Sequence, residues 1–244
     1  MATDAVVKKI ARDFNANINS DATIRKLLKK KMNSTVTYLD ADKYAIATAK
    51  ALGKALADNL IDETLSTADY RAIVAEALPD GLKATRSTVN YFTESAQRAL
   101  NKSAKINLKV VMPAIDTEAI TTTTAKALKA TAYSEVSGVV TQDSMSFAQN
   151  VAVKMMKENA NFQHNVGYDI KVIRQYDDVG LHRGTKYAEQ CDWCLEREGT
   201  WDYDAALENG VFARHPGCSC TIVYHADKGP QLQTNWQNNV WENL

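Results

Sequence analysis

An α+β fold is what this sequence predicts, mostly helical over its N-terminal two-thirds and ending in a small β-rich, zinc-binding C-terminal module. Three observations predict it. Apolar residues recur at three- and four-residue steps up to about residue 165, a stretch whose only prolines are Pro79 and Pro113. Beyond Gly167 the period changes, and Asp169-Ile-Lys-Val-Ile-Arg-Gln-Tyr176 alternates apolar with polar residues as a half-buried strand does. All four cysteines fall between positions 191 and 220, together with His215. That grouping suits a tetrahedral metal ion.

The elements follow in order. Asp40 is placed to cap a helix whose stripe runs through Ile46, Ala49, Leu52, Leu56 and Leu60. Thr67 is placed to cap a second, through Ile73, Val74 and Leu78, with Pro79-Asp-Gly81 as its stop. A third is expected from Ser87 or Thr88, burying Val89, Phe92, Ala96, Ala99 and Leu100. A long helical stretch follows Pro113, with a break expected near Gly138, and continues through Met145, Phe147, Val151, Val153 and Met156. The β-branched run Thr121–Thr124 reads either as a helix face or as a local break. After the strand at 169–176, Asp177 to Gly184 is a turn-rich connector, and a second short strand is expected to lead into Cys191. Asp204 to Asn209 reads as a helical turn stopped by Gly210, and Cys220-Thr-Ile-Val-Tyr224 as a last strand.

Composition limits the function classes. Twenty-nine basic residues balance twenty-nine acidic ones, which gives no global field for wrapping nucleic acid. Charge is unevenly spread. Lys26, Lys29, Lys30 and Lys31 form a basic cluster, the best DNA-facing candidate, whose plainer reading is a solvated helix face. The cysteine segment is acidic, with Glu189, Asp192, Glu196, Glu198, Asp202, Asp204 and Glu208, a setting that repels phosphate. No apolar run is long enough to cross a bilayer, and the first residues lack the order of a signal peptide. No membrane association is expected. A reducing cytoplasm is, where paired cysteines bind metal more often than they form disulfides.

The ligand pattern is Cys191-Asp-Trp-Cys194 followed by His215-Pro-Gly-Cys218-Ser-Cys220. A C-x-x-C turn brings two sulfurs to one ion, and thiolates supply the charge and softness that zinc prefers. The return half offers three candidates. Cys218 and Cys220 share one face of an extended segment, while His215 and Cys218 have the spacing of a knuckle. Five candidates thus compete for four places. The first choice is the four cysteines, with His215 as a substitute for Cys218 or as a supporting group. Buried free thiols or disulfides are the plainer readings. Four protein ligands leave no vacancy for water, so such a site is structural. It would hold a hairpin module that chelation unfolds from about residue 168 to 225, sparing the helices.

The order of these features resembles the C-terminal region of the phage Mu F-like minor head proteins, also called head morphogenesis proteins. Cys191, Cys194, His215, Pro216, Cys218 and Cys220 carry the resemblance, with Gly210 and Phe212 in the connector. Two positions depart from the pattern: Ser219 stands where the family often has arginine, and Arg214 where leucine or proline is common. The resemblance implies a structural role in a tailed-phage virion, made in the host cytoplasm. It also implies zinc, binding to the portal protein, and help with head assembly or genome delivery. The major capsid protein and genomic DNA are further partners it suggests. It implies a helical region at 1–112, a head morphogenesis domain at 113–228 with its zinc module at 186–225, and a tail at 229–244.

The other readings are weaker. No H-E-x-x-H, G-x-S-x-G, P-loop or G-x-G-x-x-G stands in the chain, so no enzyme is expected, and a zinc-dependent hydrolase would need an open coordination position. His164, His182 and His225 read as exposed or connector residues. A zinc-ribbon nucleic-acid binder is the main alternative, with Trp193, Trp201 and Tyr203 as base-stacking candidates that serve equally as a small core beside the metal. In the polar tail, Trp236 and Trp241 are the candidate partner-binding anchors.

Overall fold

The computed structural model describes residues 2–60, 66–129, 133–176, 192–215, 218 and 220–227. Among these, helices α1 (Ala2–Ser20), α2 (Ala22–Met32), α3 (Tyr38–Leu60), α4 (Thr67–Ser103), α5 (Thr117–Ala127) and α6 (Tyr133–Asn165) precede strand β1 (Asp169–Gln175). After it come the single turn α7 (Asp192–Leu195), β2 (Gly199–Asp202), α8 (Tyr203–Glu208) and β3 (Thr221–Asp227). The α+β architecture is the one read from the residue pattern: a helical body followed by a small antiparallel sheet. None of the described helices is long and apolar enough to cross a membrane.

Helices α2, α3, α4 and α5 start on side chains that satisfy their first amides. Asp21 accepts from Ile24 N at 2.8 Å, Ser66 Oγ from Asp69 N at 3.1 Å and Asp116 from Ala119 N at 2.9 Å. At α3 the cap is Thr37, one turn earlier than the expected Asp40. Thr37 Oγ1 accepts from Asp40 N at 3.3 Å, and the Asp40 carboxylate accepts from Thr37 N at 3.1 Å, a reciprocal capping box. The cap of α4 is likewise Ser66 and not Thr67.

Two expected breaks are absent. Pro79 and Gly81 lie inside one helix, α4, which runs through Ser87 and Thr88 without interruption. An internal proline costs about 3 kcal/mol. Burial of Ile73, Val74, Leu78 and Leu82 at 0–1 % exposure offsets it. Gly81 serves the packing directly: a Cβ there would lie 2.5 Å from Leu52 Cδ1. Helix α6 also passes Gly138 unbroken, and Thr121–Thr124 lie in α5, where Thr121, Thr123 and Thr124 return their hydroxyls to carbonyls one turn back.

Helix α3 is the hub of the body. Its small residues Ala45 and Ala49 meet Val89, Met145, Ala148 and Ala152. Gly53 lets α6 approach so closely that an added Cβ would fall 3.1 Å from Thr141 Cα. A larger aliphatic core joins Leu52, Leu56, Leu60, Ile73, Leu78, Leu82, Ile120, Val140 and Phe147. Residues on both sides of position 112 share it.

The sheet has the order β2-β1-β3, both pairings antiparallel, with Val172 opposite Trp201 on one side and Tyr224 on the other. It is not a free-standing hairpin. Ile170, Val172, Ile222 and Tyr224 pack with Tyr38 of α3 and with Val153, Met156 and Ala160 of α6. A buried polar network crosses the same boundary. The Tyr224 hydroxyl lies 2.7 Å from Gln97 Nε2 and 3.1 Å from Gln163 Oε1, and both glutamines donate to Asn101 Oδ1. Tyr38 donates its hydroxyl to Gln97 Oε1. Asn159 holds the connector at 104–116 by pairing with both backbone groups of Val111 at 2.8 Å. Gln97, Asn101, Asn159 and Gln163 are thereby partnered, which low dielectric demands.

Candidate metal centre

Three ligand-type side chains converge below the sheet. Helix α7 presents Cys194, and the turn leading to β3 returns His215 and Cys218, closed by a bond from Cys218 N to His215 O at 3.1 Å. Cys194 Sγ lies 3.0 Å from His215 Nε2 and 3.8 Å from Cys218 Sγ, and the three ligand atoms all fall within 4.8 Å of one another. Both thiols are buried, and among the described residues no disulfide joins them. This Cys₂His cluster can hold a metal ion.

Cys220 lies in the same buried group and shares a hydrogen bond with Cys218. Cys191, Trp236 and Trp241, the connector at 177–184 with His182, and the short strand expected before Cys191 fall outside the described residues. Of the five sequence candidates, then, the structure brings together Cys194, His215 and Cys218, with Cys220 adjoining.

The electrostatics favour thiolate at Cys218. A hydrogen bond from Cys220 holds the Cys218 thiol well below its ordinary value, helped by the guanidiniums of Arg214 and Arg174 against the cost of burial. The same bond, followed by burial, pushes the Cys220 thiol upward. Arg174 is the side chain missed in the sequence. It sits on β1 at 0 % exposure, and its Nη2 lies 3.4 Å from Cys194 Sγ and 3.5 Å from Cys218 Sγ. The signal was present: Arg174 shares the parity of Ile170 and Val172, so strand alternation puts a charge on the apolar face.

Two further arginines frame the site. Arg214 pairs with Asp42 of α3 at 3.0 Å and donates to Cys218 O at 3.4 Å. Arg214 is therefore an anchor that ties the ligand turn to the helical body. Burial raises the Asp42 carboxyl, opposed by Arg214 and a bond from Gln149. Trp193 packs edge-on to His215, with ring centroids 5.6 Å apart, and receives the Arg197 guanidinium 4.0 Å from its ring centre. Of the three aromatics expected to form a small core beside the metal, Trp193 packs on the cysteines, whereas Trp201 and Tyr203 belong to the sheet core.

The remaining candidates are dispersed. Lys26 and Lys29 are exposed, but Lys30 pairs with Asp40 at 2.8 Å and Lys31 lies over the Tyr91 ring. Half of the basic cluster is thus engaged within the fold. His164 contacts Asp204 and the Tyr203 ring, and His225 is exposed on β3. Comparison with protein-family models, with curated proteins and with solved structures finds no match to this chain.

Proposed function

We propose that this protein is a structural minor component of a tailed-phage head, associated with the portal, whose C-terminal module is clasped by a closed zinc centre. The observation that carries the zinc reading is the convergence of Cys194, His215 and Cys218 from two chain segments into one buried cluster. Two thiolates bound at about 2.3 Å in tetrahedral geometry stand about 3.8 Å apart, and 3.8 Å is the Cys194–Cys218 separation. The sulfur–imidazole approach of 3.0 Å is tighter than that geometry, and holding an ion would require His215 to stand about half an ångström farther from Cys194. Cys220 and Cys191 are the candidates for the fourth position.

A buried, thiolate-rich centre with four protein ligands suits structure better than hydrolysis, because it offers water no coordination site. The head-protein reading rests on the cysteine–histidine pattern, on its placement after a helical body and on the family it resembles. Engagement of Lys30 and Lys31 within the fold makes the nucleic-acid reading the weaker one.

Metal analysis of the purified full-length protein tests the centre: one zinc per chain is expected, and metal-free protein that folds normally overturns it. Co-expression with a portal protein from the same genome tests the role. Co-elution from size exclusion and recovery in purified heads are expected. Separate elution together with absence from heads overturns it.

A further inference from the structure

Arg174 presents a problem that the ligand residues alone do not solve. A guanidinium cannot lose its proton in a protein, and burying it without an anion is costly. Arg174 is fully buried, yet among the described residues no carboxylate pairs with it. Its Nη1 donates to Val211 O at 2.8 Å and Ala213 O at 2.6 Å, and its Nη2 is aimed at the sulfurs of Cys194 and Cys218. The two carbonyls belong to the segment that delivers His215, and the two sulfurs come from the two halves of the ligand set. One side chain therefore spans both halves of the centre and the turn between them. Strand β1 holds it rigidly, with Arg174 opposite Gly199 in β2 and Ile222 in β3.

Charge counting then limits the ligands. A divalent ion with two thiolates is neutral and gives Arg174 no counter-charge. Four thiolates leave one negative charge in excess. Three thiolates and one imidazole carry a net charge of minus one, which a single guanidinium balances. We propose that Arg174 is the fixed counter-cation and positioning residue of the metal centre, matched to a ligand set of three cysteines and His215. The proposal rests on the zinc reading above and adds the ligand count and the residue that imposes it. Planar, forked donors fit this task and an ammonium does not, because only the fork reaches two carbonyls and two sulfurs together.

The test uses the full-length chain. Zinc affinity is measured by chelator competition for wild type, Arg174→Gln and Arg174→Lys, with far-UV circular dichroism confirming that the helical body is intact. Arg174→Gln is expected to bind zinc about 10- to 100-fold more weakly, as loss of an outer-shell partner does. Arg174→Lys, which keeps the charge but loses the fork, is expected to fall between. Equal affinity in all three proteins overturns the proposal. Cobalt substitution of the wild type gives a second readout that needs no variant. Charge-transfer intensity corresponding to three thiolates supports the proposal, and two or four overturns it. A wild type that binds neither zinc nor cobalt sinks the zinc reading itself, which separates that failure from failure of the role of Arg174.

Discussion

The helical body and the C-terminal sheet region solve the same problem with different means. The body buries aliphatic and alanine side chains along α3, α4 and α6, with Gly53 and Gly81 letting the helices approach. The sheet region, with three short strands, buries a guanidinium, thiols and a salt bridge as well as its apolar face. Apolar packing is tolerant of sequence, and many residues share the load. Buried polar groups are all-or-none, because a single lost partner leaves a charge or dipole unsatisfied. The body should therefore degrade gradually under mutation, and the ligand region abruptly.

The largest contrast comes from the centre itself. Cys194→Ser is expected to take zinc content from one per chain to none, and apparent zinc affinities in small folded peptides reach about 10–16 kcal/mol. Hydrogen exchange should rise sharply across 192–220 while α3 and α6 remain protected. Because Ile170, Val172 and Tyr224 pack on α6, strands β1 and β3 should stay paired. This narrows the sequence expectation that chelation unfolds the whole stretch from 168 to 225. Loss of protection throughout α6 would show that body and site are one cooperative unit.

Next in size is the body. Leu52 is fully buried against Gly81, and Leu52→Ala should lower unfolding free energy by about 2–5 kcal/mol in urea titration. Zinc content should not change. A drop in zinc content would break the separation between the two regions.

The boundary between them is read by Tyr224→Phe. Removing that hydroxyl deprives Gln97 and Gln163 of a buried partner, for an expected loss of about 1–3 kcal/mol by thermal or urea unfolding. A neutral result would mean that the network is decorative and that apolar contact alone joins sheet to helices.

The smallest effect is at the start of α3. Burial would raise the Asp40 carboxyl, but bonds from Lys30 and Thr37 outweigh it and hold the group below its ordinary 3.8. A depressed carboxylate stabilises the fold above its unfolded pKa, and that contribution is lost as pH falls through the folded value. Asp40→Asn should cost about 1 kcal/mol at neutral pH. The gap from wild type should close as unfolding is repeated at pH values below 3.8. A gap independent of pH would assign the loss to packing.

Much of this was legible beforehand, for identifiable reasons. The stripes of α3 and α6 and the alternation of β1 are periodic over many residues, so they survive any local exception. The ligand residues stood out because all the cysteines occupy one segment. Pro79 and Gly81 misled because local propensity cannot register that Leu78 and Leu82 are buried or that Leu52 needs the space over Gly81. Strand β2 is four residues long, too short to show a period, and exists through its pairing with β1. Asp42 and Arg214 could not be matched in advance because the pairing depends wholly on the tertiary fold.

That last pair has a consequence for how the protein is made. Asp42 and Arg214 are 172 positions apart, so α3 waits for its partner through most of synthesis. Cys194 precedes Cys218 by 24 residues. At ordinary translation rates that is an interval of about one to five seconds, in which a lone C-x-x-C pair stands without its return half. A nascent chain thus offers a metal ion only a half-site until Cys218 and Cys220 have emerged.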